Sequence, residues 1–556
     1  MGLPKVIDVI KEKCQNCHSC ISVCPSKYCN DGSKGYIEIN PDLCIGCGQC
    51  IKACTWGARV LIDDTNRFLH DALSGVPIVA VVAPGIAASF PNMYLNFNGW
   101  LKSIGVSAVF DVSFGAELTI KSYLEHVKAN NPKAVIAQPC PAIVNYIEIH
   151  RPELIQYLAP ADSPMLHTIK MVKEFYPQYA NHKVVVISPC LAKKREFEAT
   201  GYGDYNVTMA KLDDYFKEAR INLSKYPAAN YDNPPAERAV LFSTPGGLLE
   251  TAARWNQELR PKIRKIEGPH TIYHYLDHLG KDIEAGNAPL VIDCLNCETG
   301  CNGGTGTKCY GESMDHLESI IERRKEQMKQ LYLKNETRGR DSFENDEIVQ
   351  KKIIDSIEQH WRPGLYDRAY ENRSRSKVTT DISNVELDRI YRKMLKETPE
   401  DHKNCSACGY GNCKDMATAI YNGLNKPENC HYYLSNFLTK SMVSRKQAID
   451  KFQSLIMSQF NSKDSLSRFA PILKSIEDVS LQTSILAMNA SIEATKAGDV
   501  GSGFGVVAKH IGELANKTKS ETTRMHSSLG ELKDLLDKAI MEFEREVGST
   551  EADVAH

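Results

Sequence analysis

Residues 183–196 read KVVVISPCLAKKRE. Val184, Val185, Val186 and Ile187 make a short β-branched run without polar alternation, the pattern of a strand buried on both faces. Ser188-Pro189-Cys190 ends the run, because proline lacks a backbone donor and restricts the residue before it. LAKKRE then resumes with good helix formers. The same succession recurs along the chain. VPIVAVVA (76–83), SAVFDV (107–112), KAVIAQ (133–138), RAVLFS (238–243) and PLVIDC (289–294) are apolar, β-rich and bounded by turn signals. Alternation of such runs with helical stretches predicts an α/β domain with buried parallel strands. Several runs end at PC, SPC, STPGG or DCLNC. Ligands gather beyond the carboxyl ends of parallel strands, so one site assembled from several strand ends is expected.

The rest of the chain narrows the class. At ~150 residues per domain, 556 residues predict about four domains. With 67 basic and 69 acidic residues, nothing favours nucleic acid or an anionic membrane as the main partner. The longest apolar stretch, Val76 to Phe90, is broken by Pro77, Pro84 and Gly85, so no membrane span is expected. The N-terminus MGLPKVIDVIKEKCQ has no hydrophobic signal core. A cytoplasmic protein is expected, and its 19 cysteines then read as metal ligands in place of disulfides.

Cys14, Cys17, Cys20 and Cys24-Pro25 form C-x2-C-x2-C-x3-C-P, and Cys44, Cys47, Cys50 and Cys54 repeat the spacing. Three thiolates of such a run wrap one cubane and the fourth crosses to the other. Cys14, Cys17, Cys20 and Cys54 are therefore assigned to one [4Fe–4S] cluster, and Cys44, Cys47, Cys50 and Cys24 to a second. Cys29 falls outside the pattern. Residues 1–64 resemble a bacterial two-cluster ferredoxin domain, which moves electrons.

Four further cysteines follow or end apparent strands: Cys140 in AQPCPAI, Cys190 in SPCLAKKRE, and Cys297 and Cys301 in LNCETGCNGGTG. Glycines around Cys301 admit a bulky group against the backbone. On the loops QPCP (138–141), SPC-x2-K-x2-E (188–196) and C-x3-C-x-GG (297–304), residues 65–400 resemble the catalytic domain of the [FeFe]-hydrogenases. VAPGIA (82–87), FDVSFGAELTI (110–120), FSTPGGLLETA (242–252) and IYRKML (390–395) extend the resemblance. It implies that Cys140, Cys190, Cys297 and Cys301 hold the [4Fe–4S] part of an H-cluster, with Cys301 bridging to a diiron subsite carrying CO, CN and a dithiolate. Lys193, paired in the motif with Glu196, would hydrogen-bond one cyanide, and backbone at Pro84 and Gly85 the other. The sequence departs from the family at Pro139, where a proton-passing cysteine is usual, and at Ser188 and Leu295, where methionines are usual. No relay acid is clearly placed in KSYLEH (121–126). Cys294 is a nearby thiol but reads as structural. These departures resemble the hydrogen-sensing subgroup and predict slow turnover, since losing a general acid costs ~10²–10⁴ in rate.

Segment 312–400 is highly charged and reads as a solvated helical wrap. Cys405, Cys408, Cys413 and Cys430 form C-x2-C-x4-C-x16-C in a segment, 401–435, that resembles a small Fe–S domain. A third further [4Fe–4S] cluster is expected there, with zinc as the alternative. Residues 436–556 read as helices. Positions 472, 476, 479, 483, 486, 490 and 493, then 507, 511, 514 and 518, step by 4 and 3 around GDVGSGFG (498–505). That pattern predicts an antiparallel coiled-coil hairpin whose seam is incomplete alone, hence a homodimer. NASIEATKAG and GFGVVA, with Asn489 and Glu493, resemble the tip of methyl-accepting chemotaxis receptors, which docks a histidine kinase and its adaptor.

Two functions follow as expectations. In the first, the H-cluster of an anaerobe's protein reacts reversibly with H2 (2H⁺ + 2e⁻ ⇌ H2), and the Fe–S clusters relay the outcome to the hairpin. In the second, the chain is a metabolic ferredoxin hydrogenase, with ferredoxin or another redox partner and a tail used only for assembly.

Overall fold

The computed structural model describes residues 2–334, 342–376, 380, 382–460, 463–496 and 502–553. The chain divides into two compact units, Met1–Asn436 and Phe437–His556.

The first unit opens with four short strands, β1 (Ile7–Val9), β2 (Asn30–Asp31), β3 (Glu38–Ile39) and β4 (Arg59–Leu61). β1 pairs antiparallel with β4 and β2 with β3, enclosing the cysteine-rich loops. Seven more strands follow: β5 (Ile78–Val82), β6 (Val106–Asp111), β7 (Val135–Ile136), β8 (Lys183–Ser188), β9 (Tyr205–Thr208), β10 (Ile263–Glu267) and β11 (Val291–Leu295). They form two parallel sheets, ordered β6-β5-β8-β9 and β10-β11-β7. The fold is thus multidomain α/β. Every residue of β5 is fully buried, as expected for a central strand covered by helices on both faces.

RAVLFS, expected as a strand, is instead a 3-10 helix, Arg238–Ser243. It buries Ala239, Val240, Leu241 and Phe242 against helices Val112–Asn130 and Gly247–Trp255. A short apolar run suits a buried helical turn as well as a strand. The charged segment 312–400 is also less solvated than expected. Helix Met314–Leu333 buries Arg324 at 1% exposure, helix Ser342–Gln359 buries Ile353 and Ile357, and Tyr366 is buried beyond them.

In the second unit, helices Lys463–Lys496 and Ser502–Asp553 pack as an antiparallel hairpin, with part of the reversal (497–501) outside the described residues. Ser480 Oγ donates to the Ala515 carbonyl. The buried seam is Leu473, Ser480 and Ala487 against Ala508, Ala515 and Thr522, each seven residues apart. This is one position off the expected stripe. Ile472, Val479, Leu486, Val507 and Leu514 are 54–67% exposed on the outer face. Small residues let two arms of one hairpin approach closely, which leaves the large apolar stripe facing outward. No helix among the described residues is long and apolar enough to cross a membrane.

Candidate active site

Three loops at strand ends converge. Cys140 follows β7 and caps helix Pro141–His150, whose first residue is proline. Cys190 follows β8, where Ser188 Oγ accepts from Cys190 N at 2.9 Å and donates to the Cys190 carbonyl at 2.8 Å. Cys297 and Cys301 lie beyond β11. Gly300 between them has φ +63°, and a Cβ there would stand 2.4 Å from the Ser243 carbonyl, so only glycine lets this loop close.

The four cysteines line one chamber, walled by Ala83, Pro84, Pro139, Pro164, Pro189 and Phe242. Among the described residues no three Cys, His, Asp or Glu side chains close around a single-ion position; these sulfurs line a volume. Burial pushes the Cys190 thiol up to about 12, with Cys140 and Cys297 adding repulsion. Burial likewise raises Cys301 well above the ordinary thiol value, and the other three thiols reinforce it. The thiolate forms therefore need a cationic partner, which is what an iron cluster supplies as it displaces the protons. Asn302, next to Cys301, is a buried polar side chain that does not line the chamber. It is fully buried beside Gly85, and neither of its amide atoms has a protein partner.

Lys193 lines the chamber and is 5% exposed. Its Nζ donates to the Pro139 carbonyl at 3.0 Å and to Glu196 Oε2 at 2.6 Å. An ammonium has three N–H groups, so a third is available toward the chamber. Glu196 also accepts from Ser163 Oγ at 2.9 Å and from Arg368. Burial opposes the Glu196 carboxylate, but Lys193 and Arg368 outweigh it and hold its pKa below the usual value. Pro84 is in the wall, and its carbonyl accepts from Arg324 Nη1 at 3.0 Å. Arg324 also pairs with Asp111 at 2.5 Å. Neither Arg324 nor Arg368 was expected here. Both come from the charged segment, and no local pattern marks which of its arginines turn inward.

Pro139 stands in the wall where a titratable side chain was missed, and no side chain of KSYLEH lines the chamber. Ser122 and Tyr123 bond instead to His167 and Gln138. Leu295 is in the wall, whereas Cys294 is fully buried on the other face of β11, its Sγ donating to the Ala137 carbonyl at 3.4 Å. Asp293 is a further buried carboxyl, pushed up to about 7 by burial and by Glu267 beside it.

Cys47 reaches the chamber from the N-terminal segment. Arg195 binds the Cys44 carbonyl and Asn145 Nδ2 donates to the Ile45 carbonyl at 3.1 Å, fixing that segment against the site. Cys24 lies close enough to Cys47 and Cys50 for their charges to interact. Buried Arg59 donates to Cys20 Sγ at 3.2 Å. Cys29 Sγ, outside the motif, is 3.8 Å from Cys24 Sγ. In the third group Cys408, Cys413 and Cys430 are buried while Cys405 is exposed.

Comparisons with known proteins bear on the domains that carry these residues. Residues 76–305 match the model of the iron only hydrogenase large subunit, C-terminal domain. Residues 37–60 match a 4Fe-4S binding domain, 401–432 an Fe-S cluster family, and 439–555 the methyl-accepting chemotaxis protein signalling domain. The NADP-reducing hydrogenase subunit HndD of Solidesulfovibrio fructosivorans is 25% identical over 415 residues, 61% of this chain and 70% of its own length. The methyl-accepting chemotaxis protein Amb0994 of Paramagnetospirillum magneticum is 40% identical over 72 residues, 13% of this chain and 16% of its own. The [FeFe]-hydrogenase HydA1 of Chlamydomonas reinhardtii aligns in structure over 56% of this chain and all of its own at 21% identity and TM-score 0.39. The class is an iron-only hydrogenase domain with its Fe–S domains. This chain joins that domain to a region matching the chemotaxis-type signalling domain.

Proposed function

We propose that this protein senses hydrogen. Cys140, Cys190, Cys297 and Cys301, which line one chamber, would hold an H-cluster. That group supplies reversible cleavage of H2 into protons and electrons when bound. The chain's own residues do the rest. Lys193 would offer its remaining N–H to one cyanide, Glu196, itself held by Ser163, orients it, and backbone at Pro84, in the wall, and at Gly85 would hold the other. The observation that carries the reading is Pro139, in the chamber wall of a hydrogenase domain attached to a signalling hairpin. A wall with no titratable group at that position slows proton exchange, which suits a receptor more than a catalyst of metabolic flux.

Cys14, Cys17, Cys20 and Cys54, then Cys44, Cys47, Cys50 and Cys24, then Cys405, Cys408, Cys413 and Cys430, would hold three further [4Fe–4S] clusters. The outer stripe of the hairpin pairs with a second copy, and its tip docks a chemotaxis-type kinase and adaptor in the cytoplasm. Infrared spectroscopy of anaerobically matured protein, under nitrogen and then hydrogen, tests the core of this reading. CO and CN bands that shift with hydrogen are expected, and their absence after competent maturation refutes it. A ferredoxin hydrogenase is the second reading, favoured by the exposed Cys17 and Cys405 where an external redox partner could dock. Fast turnover together with no adaptor binding would select it.

A further inference from the structure

We infer that the four-cysteine domain is an electron-transfer terminus wired to the ferredoxin segment through one junction, centred on Gly409, and that it hands redox state to the helix starting at His431. The inference rests on the hydrogen-sensing reading above and adds the route and the exit.

The junction joins the ligand loops themselves. Gly409, next to Cys408, has φ +86°, and a Cβ there would lie 2.8 Å from Ile21 Cβ and 2.9 Å from the His18 carbonyl. His18 and Ile21 flank Cys17 and Cys20. Lys27 Nζ donates to the Gly409 carbonyl at 2.8 Å. On the other side Asn16, between Cys14 and Cys17, donates through Nδ2 to Asn429 Oδ1 at 3.1 Å, one residue before Cys430. Asn429 Nδ2 in turn donates to the Gly32 carbonyl at 2.8 Å. Residues adjoining a ligand therefore touch residues adjoining a ligand, twice. Within the junction His18 Nε2 is buried without a protein partner, which leaves a polar atom for a cluster sulfide.

No residue of 401–432 lines the chamber, whereas Cys47 does. Cys47 lies at the chamber, while the loops of Cys17 and Cys20 sit against those of Cys408 and Cys430. Tunnelling falls exponentially with distance, so the route we infer to the last set runs by way of the ferredoxin segment. The balance is simple: H2 gives two protons and two electrons, the protons go to solvent, and each oxidised [4Fe–4S] cluster accepts one electron. Helix His431–Phe460 begins directly after Cys430, and Leu434 N donates to the Cys430 carbonyl at 2.9 Å. An added electron on that cluster sits at the positive end of the helix and favours its ordered first turn.

The test uses full-length, matured protein under H2, read by electron paramagnetic resonance. The wild-type chain should show three reduced [4Fe–4S] signals with mutual spin–spin broadening. Gly409→Val should keep its iron content and its dithionite-reducible signals, yet lose the broadening and the H2-driven reduction of the third cluster. Asn16→Ala with Lys27→Ala, which touches no ligand, serves if the valine variant misfolds, and should move the same signals. Wild-type broadening and reduction in both variants would overturn the junction. Zinc in place of a third set of spins would also overturn it, while H2-driven reduction of the ferredoxin clusters in that sample would leave the sensor reading intact.

Discussion

Removing the charge of Glu196 should harm the fold more than removing that of Lys193. The asymmetry follows from how many partners each group keeps. Glu196→Gln strands two buried cations, Lys193 and Arg368, whose side chains are 7% and 11% exposed. Breaking a buried pair from one side costs about 3–5 kcal/mol, because an uncompensated charge stays in the interior. Lys193→Met leaves Glu196 with Arg368 and the Ser163 hydroxyl, so the loss is about 1–2 kcal/mol, one charge-assisted hydrogen bond less the gain from a buried methionine. Urea unfolding of the apoprotein, followed by far-ultraviolet circular dichroism, compares the two midpoints. The Glu196 term also has a pH signature. Its folded pKa lies below the ordinary value, so its stabilisation is complete above about pH 4.3, the unfolded carboxylate value, and is lost as pH falls through the folded pKa. The gap between wild type and Glu196→Gln should therefore be full at neutral pH and shrink in acid. Equal midpoints for the two variants, or a gap indifferent to acid, would refute this account of the pair.

Three other outcomes are expected. Pro139→Cys should raise H2 turnover by about 10²–10⁴ if the missing thiol limits proton exchange; an unchanged rate with unchanged infrared bands removes that explanation. Asp293 has a raised folded pKa, so the native state keeps its proton between about pH 4 and pH 7 and loses stability as pH rises through that window. Asp293→Asn should recover up to about 4 kcal/mol above pH 7, seen as a thermal midpoint that no longer drops with pH. In the hairpin, a Cβ on Gly512 would meet Ala487 Cβ at 3.6 Å, so Gly512→Ala should be neutral or stabilise by up to about 1 kcal/mol, whereas Gly512→Leu should part the arms. Cross-linking yield between cysteines placed at 494 and 505, where a Cβ on Gly505 would stand 3.7 Å from Ala494 Cβ, reports the difference.

Local chemistry was legible in the sequence and long-range pairing was not. Runs such as IVAVV and KVVVIS announced β5 and β8 because central strands are apolar throughout. YNVT and IRKIE gave no such signal for β9 and β10, whose polar residues are tolerated near sheet edges. RAVLFS carried the composition of a strand and the tertiary role of a buried helical turn. The cysteine-bearing loops were readable as motifs because each is a turn with its own proline and glycine grammar. Arg324 and Arg368 were not, since 213 and 172 residues separate them from Asp111 and Glu196. In the hairpin the period was readable and its phase was not. Apolar size pointed to the stripe at 472, 479 and 486, while closeness of approach selected Leu473, Ser480 and Ala487.

Those two distant arginines also set a timetable. The strand ends around the chamber belong to residues 82–301, but their charged ties arrive only when Arg324 and Arg368 have left the ribosome and folded back. Closing loops of this length is entropically slow, and until then Asp111 lacks Arg324 and Glu196 has Lys193 alone. A nascent chain therefore presents its strands and cysteine loops before it presents a completed chamber wall. The parts of the chain made last are thus the ones that brace that wall, Arg324 at the Pro84 carbonyl and Arg368 at Glu196.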